Sequence, residues 1–448
     1  MTADTAAIPG VRAQQSELST NYKIYVLGLL VLVYVSNYAD RVLLGILMPA
    51  IQAEFGLSYI EVGILSGTVF AIFYAVLGIP IAMYADRGNR KAVIVVATAI
   101  WSLMTALCAV TNNFWQLALT RIGVGVGEAG SGPPSHSIIA DLFSIKARAT
   151  ALGIFSQGVS LGLVLGIYGG AQAAAHLSWH TEYFVLEGWR MAFVVMGLPG
   201  LIIALLVWFT LKEPRRGASE GHSASADAPP LSTTIAFIRS QPALVHTLAG
   251  ATLTTLVGYT GVIWWPTFIM KSHGLSPTDM SAFLALVFGV GSGIGIFLGG
   301  YCADLFGRRD IKMIPRVVAF AILIGLPFGI AIYLVDDSTL VFLLIGIPAA
   351  TGGFYLGPSM ALVQSLVAVR MRTVASGLFL FIVNIIGMGL GSLLVGTLAE
   401  ALKAPYGDDA VRYALLVFMV FNAWAAYHYW RAGAFVADGL KRAAEASA

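Results

Sequence analysis

AMYADRGNRK at residues 82–91 and GYCADLFGRRD at residues 300–310 decide how this chain is built. Each follows a long apolar run, and each sets an aspartate ahead of a basic cluster. The first pairs Asp86 with Arg87, Arg90 and Lys91; the second pairs Asp304 with Arg308 and Arg309. The two aspartates stand 218 residues apart, and Pro49 and Pro266, each near the end of an apolar run, stand 217 apart. Two pairs at nearly the same separation indicate an internal repeat of about half the chain.

The 448 residues are 58% hydrophobic and 11% charged, with a mean hydropathy of +0.82. A soluble domain carries about 25% charged residues, so lipid is the expected solvent for most of this sequence. Runs long enough to span a bilayer, roughly 20 apolar residues each, lie at 24–50, 60–84, 92–111, 114–140, 147–174, 190–211, 243–270, 279–306, 314–335, 339–364, 372–401 and 411–433. The alternating ten-residue strands of a membrane barrel are absent. The longest polar break, 212–235, is rich in Pro, Ser and charge and divides the spans six and six. The predicted fold is an all-α membrane protein with twelve transmembrane helices in two six-helix bundles, 24–211 and 236–433. A linker at 212–235 joins them, and tails occupy 1–23 and 434–448. The first 23 residues have no apolar core followed by a cleavage site, so no signal peptide is expected.

With the N-terminus inside, 20 of the 26 basic residues fall on inner segments and 4 on outer ones; Arg41 and Arg121 lie within spans 1 and 4. The positive-inside rule therefore predicts both termini in the cytoplasm and the protein in the inner (plasma) membrane. The net charge of +3 gives no reason to expect a nucleic-acid partner. Cys108 and Cys302 sit in apolar runs and read as small hydrophobes. No metal-ligand spacing exists, and no cofactor is expected.

The two Asp-plus-basic loops resemble the signature of the major facilitator superfamily. The second copy fits it better, since Ala82, Tyr84 and Asn89 depart from the usual pattern in the first. NYADR (37–41), DRGNRK (86–91), TRIGVGVGEAGSGPPSHSIIADLF (120–143), GWR (188–190) and KEPRRG (212–217) are similar to the spinster branch of that superfamily. The resemblance implies a secondary transporter working by alternating access between two bundles. Spinster-type proteins are associated with lysophospholipids and sphingosine phosphate, whereas the NY-x-DR element also occurs in organic-anion symporters. The resemblance further implies a cytoplasmic gate at Asp86, Arg87, Arg90, Asp304 and Arg308, latching the halves together in the outward-open state. Simple topology would also account for the arginines there.

A charge at mid-membrane costs at least about 2.5–3.5 kcal/mol on insertion scales and needs a partner or a wet cavity. Four such residues stand out: Asp40 and Arg41 in span 1, Arg121 and Glu128 in span 4. Adjacent residues diverge by about 100° around a helix, so Asp40 and Arg41 point different ways. Tyr34, Tyr38 and Arg41 share one face, as do Asn37 and Arg41. Burial disfavours the charged form of a carboxylate, which suits Glu128 to carrying a proton. Arg41 is permanently charged and can hold either Glu128 or Asp40 ionised; protonation of the acid would free it for a phosphate or carboxylate. The expected proton-coupling residues are Glu128, Asp40 and Arg41, and the expected substrate contacts are Arg41, Tyr38, Asn37, Arg121 and Glu128. A static ion-pair network joining spans 1 and 4 would use the same residues.

Gly125, Gly127 and Gly130 match G-x-G-x-x-G, but a dinucleotide fingerprint must follow a strand. Here the glycines read as helix-packing positions, as do Gly158, Gly162, Gly166 and Gly170. His136 reads as a packed residue or a proton relay. The second half has no charge near the middle of its spans; its polar content there is Thr252, Thr254, Thr255, Tyr259, Ser292, Gln364 and Asn384. Trp264 and Trp265 read as interfacial anchors. A cavity between unequal halves would be amphipathic. The expected function is therefore a proton-coupled transporter, working as a monomer among membrane lipids, of an amphipathic lipid-like or organic anionic substrate. A sugar-acid/proton symporter is the alternative. No nucleophile–base set suggests an enzyme, and no loop is long enough for a receptor's sensor domain.

Overall fold

The computed structural model describes residues 19–180, 185–214, 230–368 and 371–446, apart from the side chains of Asp86, Arg87, Ile145, Lys146, Ala149 and Thr373. Twelve long helices account for most of it. Helix 1 is Thr20–Phe55, helix 2 runs 59–87, helix 3 is Arg90–Cys108, and helix 4 comprises Phe114–Glu128 and Gly132–Leu142. Helix 5 runs 145–176 and helix 6 is Trp189–Thr210. In the second half, helix 7 is Pro242–His273, helix 8 Pro277–Gly307, helix 9 Met313–Ile332, and helix 10 Ser338–Gly353 with Leu356–Ser365; helix 11 runs 372–406 and helix 12 is Ala410–Glu445. A small hairpin, Trp179–His180 with Val185–Leu186, lies between helices 5 and 6. A nine-residue helix, Leu231–Arg239, takes up the end of the linker stretch.

Nine helical stretches among the described residues, the last of them (Val374–Glu445) holding both helices 11 and 12, are long and apolar enough to cross a membrane. Helices 4 and 7 are not among them. Helix 4 is interrupted and carries Arg121 and Glu128; helix 7 carries six threonines. Their polarity is what an inward-facing helix can keep, because its side chains meet protein rather than lipid.

The repeat extends to local chemistry. Ser58 opens helix 2 and Ser276 opens helix 8, each with a full capping box, closed by Glu61 and Asp279 respectively. The serine hydroxyl accepts one orphan amide and the acid three residues on accepts another. Helices 2, 5, 8 and 11, the second and fifth of each half, each contain a π-helical segment: Ile64–Thr68, Leu165–Gly169, Val287–Gly291 and Val383–Leu390. Helices 4 and 10 are each broken near the middle, at Ala129–Ser131 and at Phe354–Tyr355. Sequence periodicity presents all six as single spans; the interruptions arise where polar or glycine-rich turns meet another helix.

Glycines set the helix distances. A Cβ at Gly162 would lie 2.6 Å from the Tyr38 Cβ and 2.7 Å from the Val35 carbonyl oxygen, so helix 5 rests directly on helix 1. Gly125, Gly127 and Gly130 press helix 4 against Phe70 of helix 2 and against Ala97 and Trp101 of helix 3. Trp264 and Trp265 are not interfacial anchors. Both are buried, donating to Ser392 Oγ at 3.2 Å and Tyr333 Oη at 2.8 Å. Their position near a span end says nothing of which helix face they occupy, and here they face the protein.

Gly162→Leu should force helices 1 and 5 apart and cost about 1–3 kcal/mol, as overpacking does. Gly28→Leu, where nothing lies within 4 Å of the new Cβ, should cost little. Thermal unfolding in detergent checks this: a clear loss for the first and none for the second is expected.

Candidate functional site

Helix 1 brings three residues of one face to the centre of the molecule. Tyr34, Tyr38 and Arg41 line a cavity of about 990 Å³ between the halves, with Tyr74 of helix 2 beside them and Tyr259, Tyr355, Asn384 and Asn422 across from them. Arg41 is the only charged side chain on its wall among the described residues. The remainder is mainly aliphatic and aromatic. The cavity reaches Met83 of helix 2, Leu231 and Val374, towards the face where helix 1 begins and helix 12 ends. This is the terminal face.

The guanidinium of Arg41 grips Glu128. Its Nε and Nη2 both donate to Glu128 Oε2, at 2.9 and 2.7 Å, and Nη2 also donates to Asn37 Oδ1 at 3.3 Å. The rings of Tyr38, Tyr74 and Phe70 surround it at 4.7, 4.9 and 5.1 Å, which is cation–π distance. Glu128 is fully buried, does not line the cavity, and keeps Oε1 without a partner. It holds this position because the first segment of helix 4 ends on it. Ser131, in the break that follows, donates to the Glu128 carbonyl at 3.2 Å and accepts from Asn37 Nδ2 at 3.4 Å. Asn37 thus ties the break in helix 4 to helix 1 and steadies Arg41 one turn away.

Asp40 points elsewhere, as its adjacency to Arg41 requires. It is buried, within electrostatic reach of Arg121, Thr105 and Trp101, but neither carboxylate oxygen closes a hydrogen bond of normal geometry. Arg121 lies within reach of both acids and stands 5.5 Å from the Phe70 ring, so Phe70 lies near both guanidinium groups. Arg121 borders a small void of about 20 Å³ with Arg41 and Phe70, not the large cavity. Two acids and two bases therefore form a formally neutral buried quartet. Of the residues expected to couple protons or contact substrate, Tyr38 and Arg41 reach the cavity; Asn37, Asp40, Arg121 and Glu128 stand behind that wall. His136 lies edge-on to Phe155 at 5.2 Å.

The predicted gate residues behave differently. Arg90 donates to Glu213 Oε1 at 2.7 Å, to Asp141 Oδ2 at 2.5 Å, to Ser137 Oγ at 2.8 Å and to the Pro214 carbonyl at 2.8 Å, while Glu213 also takes the Lys91 amide at 2.8 Å. Ser137 and Asp141 lie in helix 4, and Glu213 and Pro214 in the linker just after helix 6, so Arg90 ties together the ends of helices 3, 4 and 6 without touching the second half. Asp304 and Arg308 are exposed. The side chains of Asp86 and Arg87 lie outside the described residues. Glu213 stands in KEPRRG, and only the folded chain shows what it holds.

The opposite face is closed. A Cβ at Gly63 would come within 2.6 Å of the Ser392 carbonyl oxygen, so helices 2 and 11 touch backbone to backbone. Thr68 Oγ1 donates to the Gly389 carbonyl at 2.8 Å. Glu400 of helix 11 accepts the Tyr59 amide at 2.7 Å, completing the first turn of helix 2 from the other half of the molecule. Lys403 pairs with Glu400 at 3.7 Å, and Lys271 and Lys403 stand 5.3 and 5.6 Å from the Tyr59 ring. Glu400 lies at the end of an amphipathic span, and its sequence position carries no sign of this role.

Comparison with known proteins agrees with this geometry. The family model described as the Major Facilitator Superfamily matches residues 30–392. A protein of Mycolicibacterium smegmatis named "MFS-type efflux pump" is 32% identical over 91% of this chain and 92% of its own length. The hexuronate transporter of Bacillus subtilis is 26% identical over 84% of this chain and 88% of its own. Among solved structures, a bacterial homolog to the human lysosomal transporter Spinster, in an inward-facing and unoccupied conformation, superposes with a TM-score of 0.85. It is 30% identical and is covered to 99%, against 94% of this chain.

Glu400→Ala removes the acceptor that caps helix 2 across the closed face. The closed arrangement should weaken roughly fivefold, in line with about 1 kcal/mol for a half-exposed hydrogen bond. Labelling of a Val262→Cys probe by an impermeant thiol reagent supplied from the closed face alone, with Cys108 and Cys302 replaced, should rise accordingly. Unchanged labelling would show that Glu400 does not hold this face shut.

Proposed function

The chain belongs to the spinster branch of the major facilitator superfamily, a family of membrane transporters, and from that premise we propose that it is a proton-coupled carrier of an amphipathic anion. The observation that supports this most is the wall of the cavity: one permanent cation, Arg41, on an otherwise largely apolar surface. A volume of about 990 Å³ is at the upper end of the roughly 300–1,000 Å³ of small-molecule sites. A phosphate or carboxylate headgroup would pair with Arg41 in the bidentate manner a guanidinium favours. An acyl or comparable tail would lie along the aliphatic surface of helices 8–10.

Coupling follows from charge balance. With the site empty, Glu128 neutralises Arg41 and the quartet carries no net charge. An anion arriving at Arg41 would leave Glu128 buried and uncompensated, which is costly in a medium of low dielectric. A proton on Glu128 removes that cost. Substrate and proton therefore bind together better than either does alone, and release of one favours release of the other. Asp40, beside Arg121, is a second acid that can take a proton. Tyr38 flanks the headgroup; Asn37 and Arg121 act on it through Arg41 and Glu128. The two bundles rock about this centre, with Arg90 and Arg308 joining the latch on the terminal face when that face closes. We place both termini in the cytoplasm of a cell whose inner membrane holds the protein as a monomer, on the distribution of basic residues.

The hexuronate transporter among the relatives favours a second reading, small sugar acids. Tyr259, Asn384 and Asn422 would then contact hydroxyl groups.

Proteoliposomes loaded with a pH indicator separate the readings. Lysophospholipids should drive proton movement and sugar acids should not; proton movement with sugar acids alone would favour the second. Glu128→Gln should abolish the pH dependence of transport, and a variant with the wild-type pH profile would refute the coupling scheme. Arg41→Lys keeps the charge but loses the fork, and should raise KM about tenfold, the effect of losing one charged hydrogen bond.

A further inference from the structure

The lipid-facing sides of helices 9 and 12 meet near the terminal face in a cluster that the transport cavity does not use. Helix 9 turns Ile322, Gly325 and Gly329 to the cavity, whereas Phe320, Leu323 and Ile324 are exposed. Helix 12 turns Met419 and Asn422 inward, and an exposed stripe of Val420, Trp424, Tyr427 and Trp430 runs down its other side. Arg316 lies one turn before Phe320 on the outer stripe. Its guanidinium carbon is 4.6 Å from the centre of the Trp430 ring, and Trp430 stands edge-on to Phe320 at 5.6 Å.

The groove that holds Arg316 is made by a glycine. A Cβ at Gly433 would lie 3.0 Å from Arg316 Nε and 3.1 Å from its Cγ, so the side chain rests against bare helix backbone. That Nε is buried with no acceptor. Arg431, next to Trp430, is exposed and stands 5.3 Å from the Phe435 ring. Neither arginine pairs with a carboxylate among the described residues. Helix 12 begins at Ala410 on the opposite face. Some 20 residues at about 1.5 Å each cross the hydrocarbon, which brings Trp430 and Arg431 to the headgroup level.

We propose that this cluster binds the headgroup of an anionic phospholipid in the leaflet at the terminal face. Arg316 takes a phosphate oxygen, Trp430 and Phe320 pack against the glycerol and first acyl carbons, and Arg431, on the Phe435 side of helix 12, adds positive charge at the same level. Basic residues at such interfaces hold anionic lipids, and a guanidinium matches a phosphate in plane. A topological signal needs only charge near the span end. A guanidinium held over an indole and against a glycine, with its Nε unpartnered, is a shaped anion site.

Native mass spectrometry of the full-length protein tests this, with phosphatidylglycerol set against phosphatidylcholine. The wild type should retain phosphatidylglycerol preferentially. Arg316→Gln with Arg431→Gln should lower that preference roughly fivefold per arginine. Arg316→Lys keeps the charge but loses the plane, and should fall nearly as far as Arg316→Gln. Gly433→Ala keeps both charges but meets the Lys312 carbonyl at 2.7 Å as well as Arg316, so it shifts helix 9 together with its arginine; Arg316→Lys decides the matter if the double variant does not fold. Arg41→Ala should leave the preference intact. A double variant with the wild-type preference overturns the proposal. So does an Arg316→Lys or Gly433→Ala protein equal to wild type, which would mean charge alone, or a preference lost with Arg41→Ala, which would put the lipid in the cavity.

Discussion

Inside hydrocarbon an unpaired amide has no water to turn to, so every backbone N–H and C=O must be satisfied within the chain. That constraint produces the long helices, and it also governs where they can be interrupted. The breaks after Glu128 and before Leu356, and the four π segments, all lie where a helix meets another helix or the central cavity. A locally loosened ladder is tolerable there because a neighbour such as Ser131 supplies a partner. The same positions in both halves carry these irregularities, so they belong to the repeat.

The second constraint is charge. Asp40, Arg41, Arg121 and Glu128 persist in the membrane because each acid has a base within reach, and the aromatic ring of Phe70 lies near both bases. The arrangement is unequal, however. Arg41 and Glu128 form a closed ion pair at the cavity edge, whereas Asp40 and Arg121 leave hydrogen-bonding capacity unspent. One pair is thus closed beside an apolar chamber, and the other stands behind it with polar atoms unpartnered.

Much of the fold was legible from composition and spacing. The Asp86–Asp304 and Pro49–Pro266 separations exposed the repeat, and the run of apolar residues gave the number of spans. The divergence of Asp40 from Arg41 was also foreseeable, since 100° per residue leaves no choice. What could not be read were contacts that depend on which face a helix presents. Trp264 and Trp265 sit near a span end, yet they point into the protein. Glu400 is unremarkable in sequence but caps a helix 341 residues away. Arg90 belongs to a motif suggestive of a latch between halves, while here it binds Asp141 of its own half and Glu213 at the start of the linker.

The division has a physical cause. Hydrophobicity, helix periodicity and positive charge at span ends act locally, so the sequence by itself determined that this is a helical membrane protein of two related halves, with mid-span charges confined to the first. Pairing is a matter of three dimensions. Whether Arg41 would choose Asp40 or Glu128, whether the cavity would carry one cation or several, and which face of the molecule would be shut depend on how helices cross at the close approaches that glycines permit. Only the tertiary structure decided those, because the energy of a buried charge is set by what lies within a few ångströms of it and not by its neighbours along the chain.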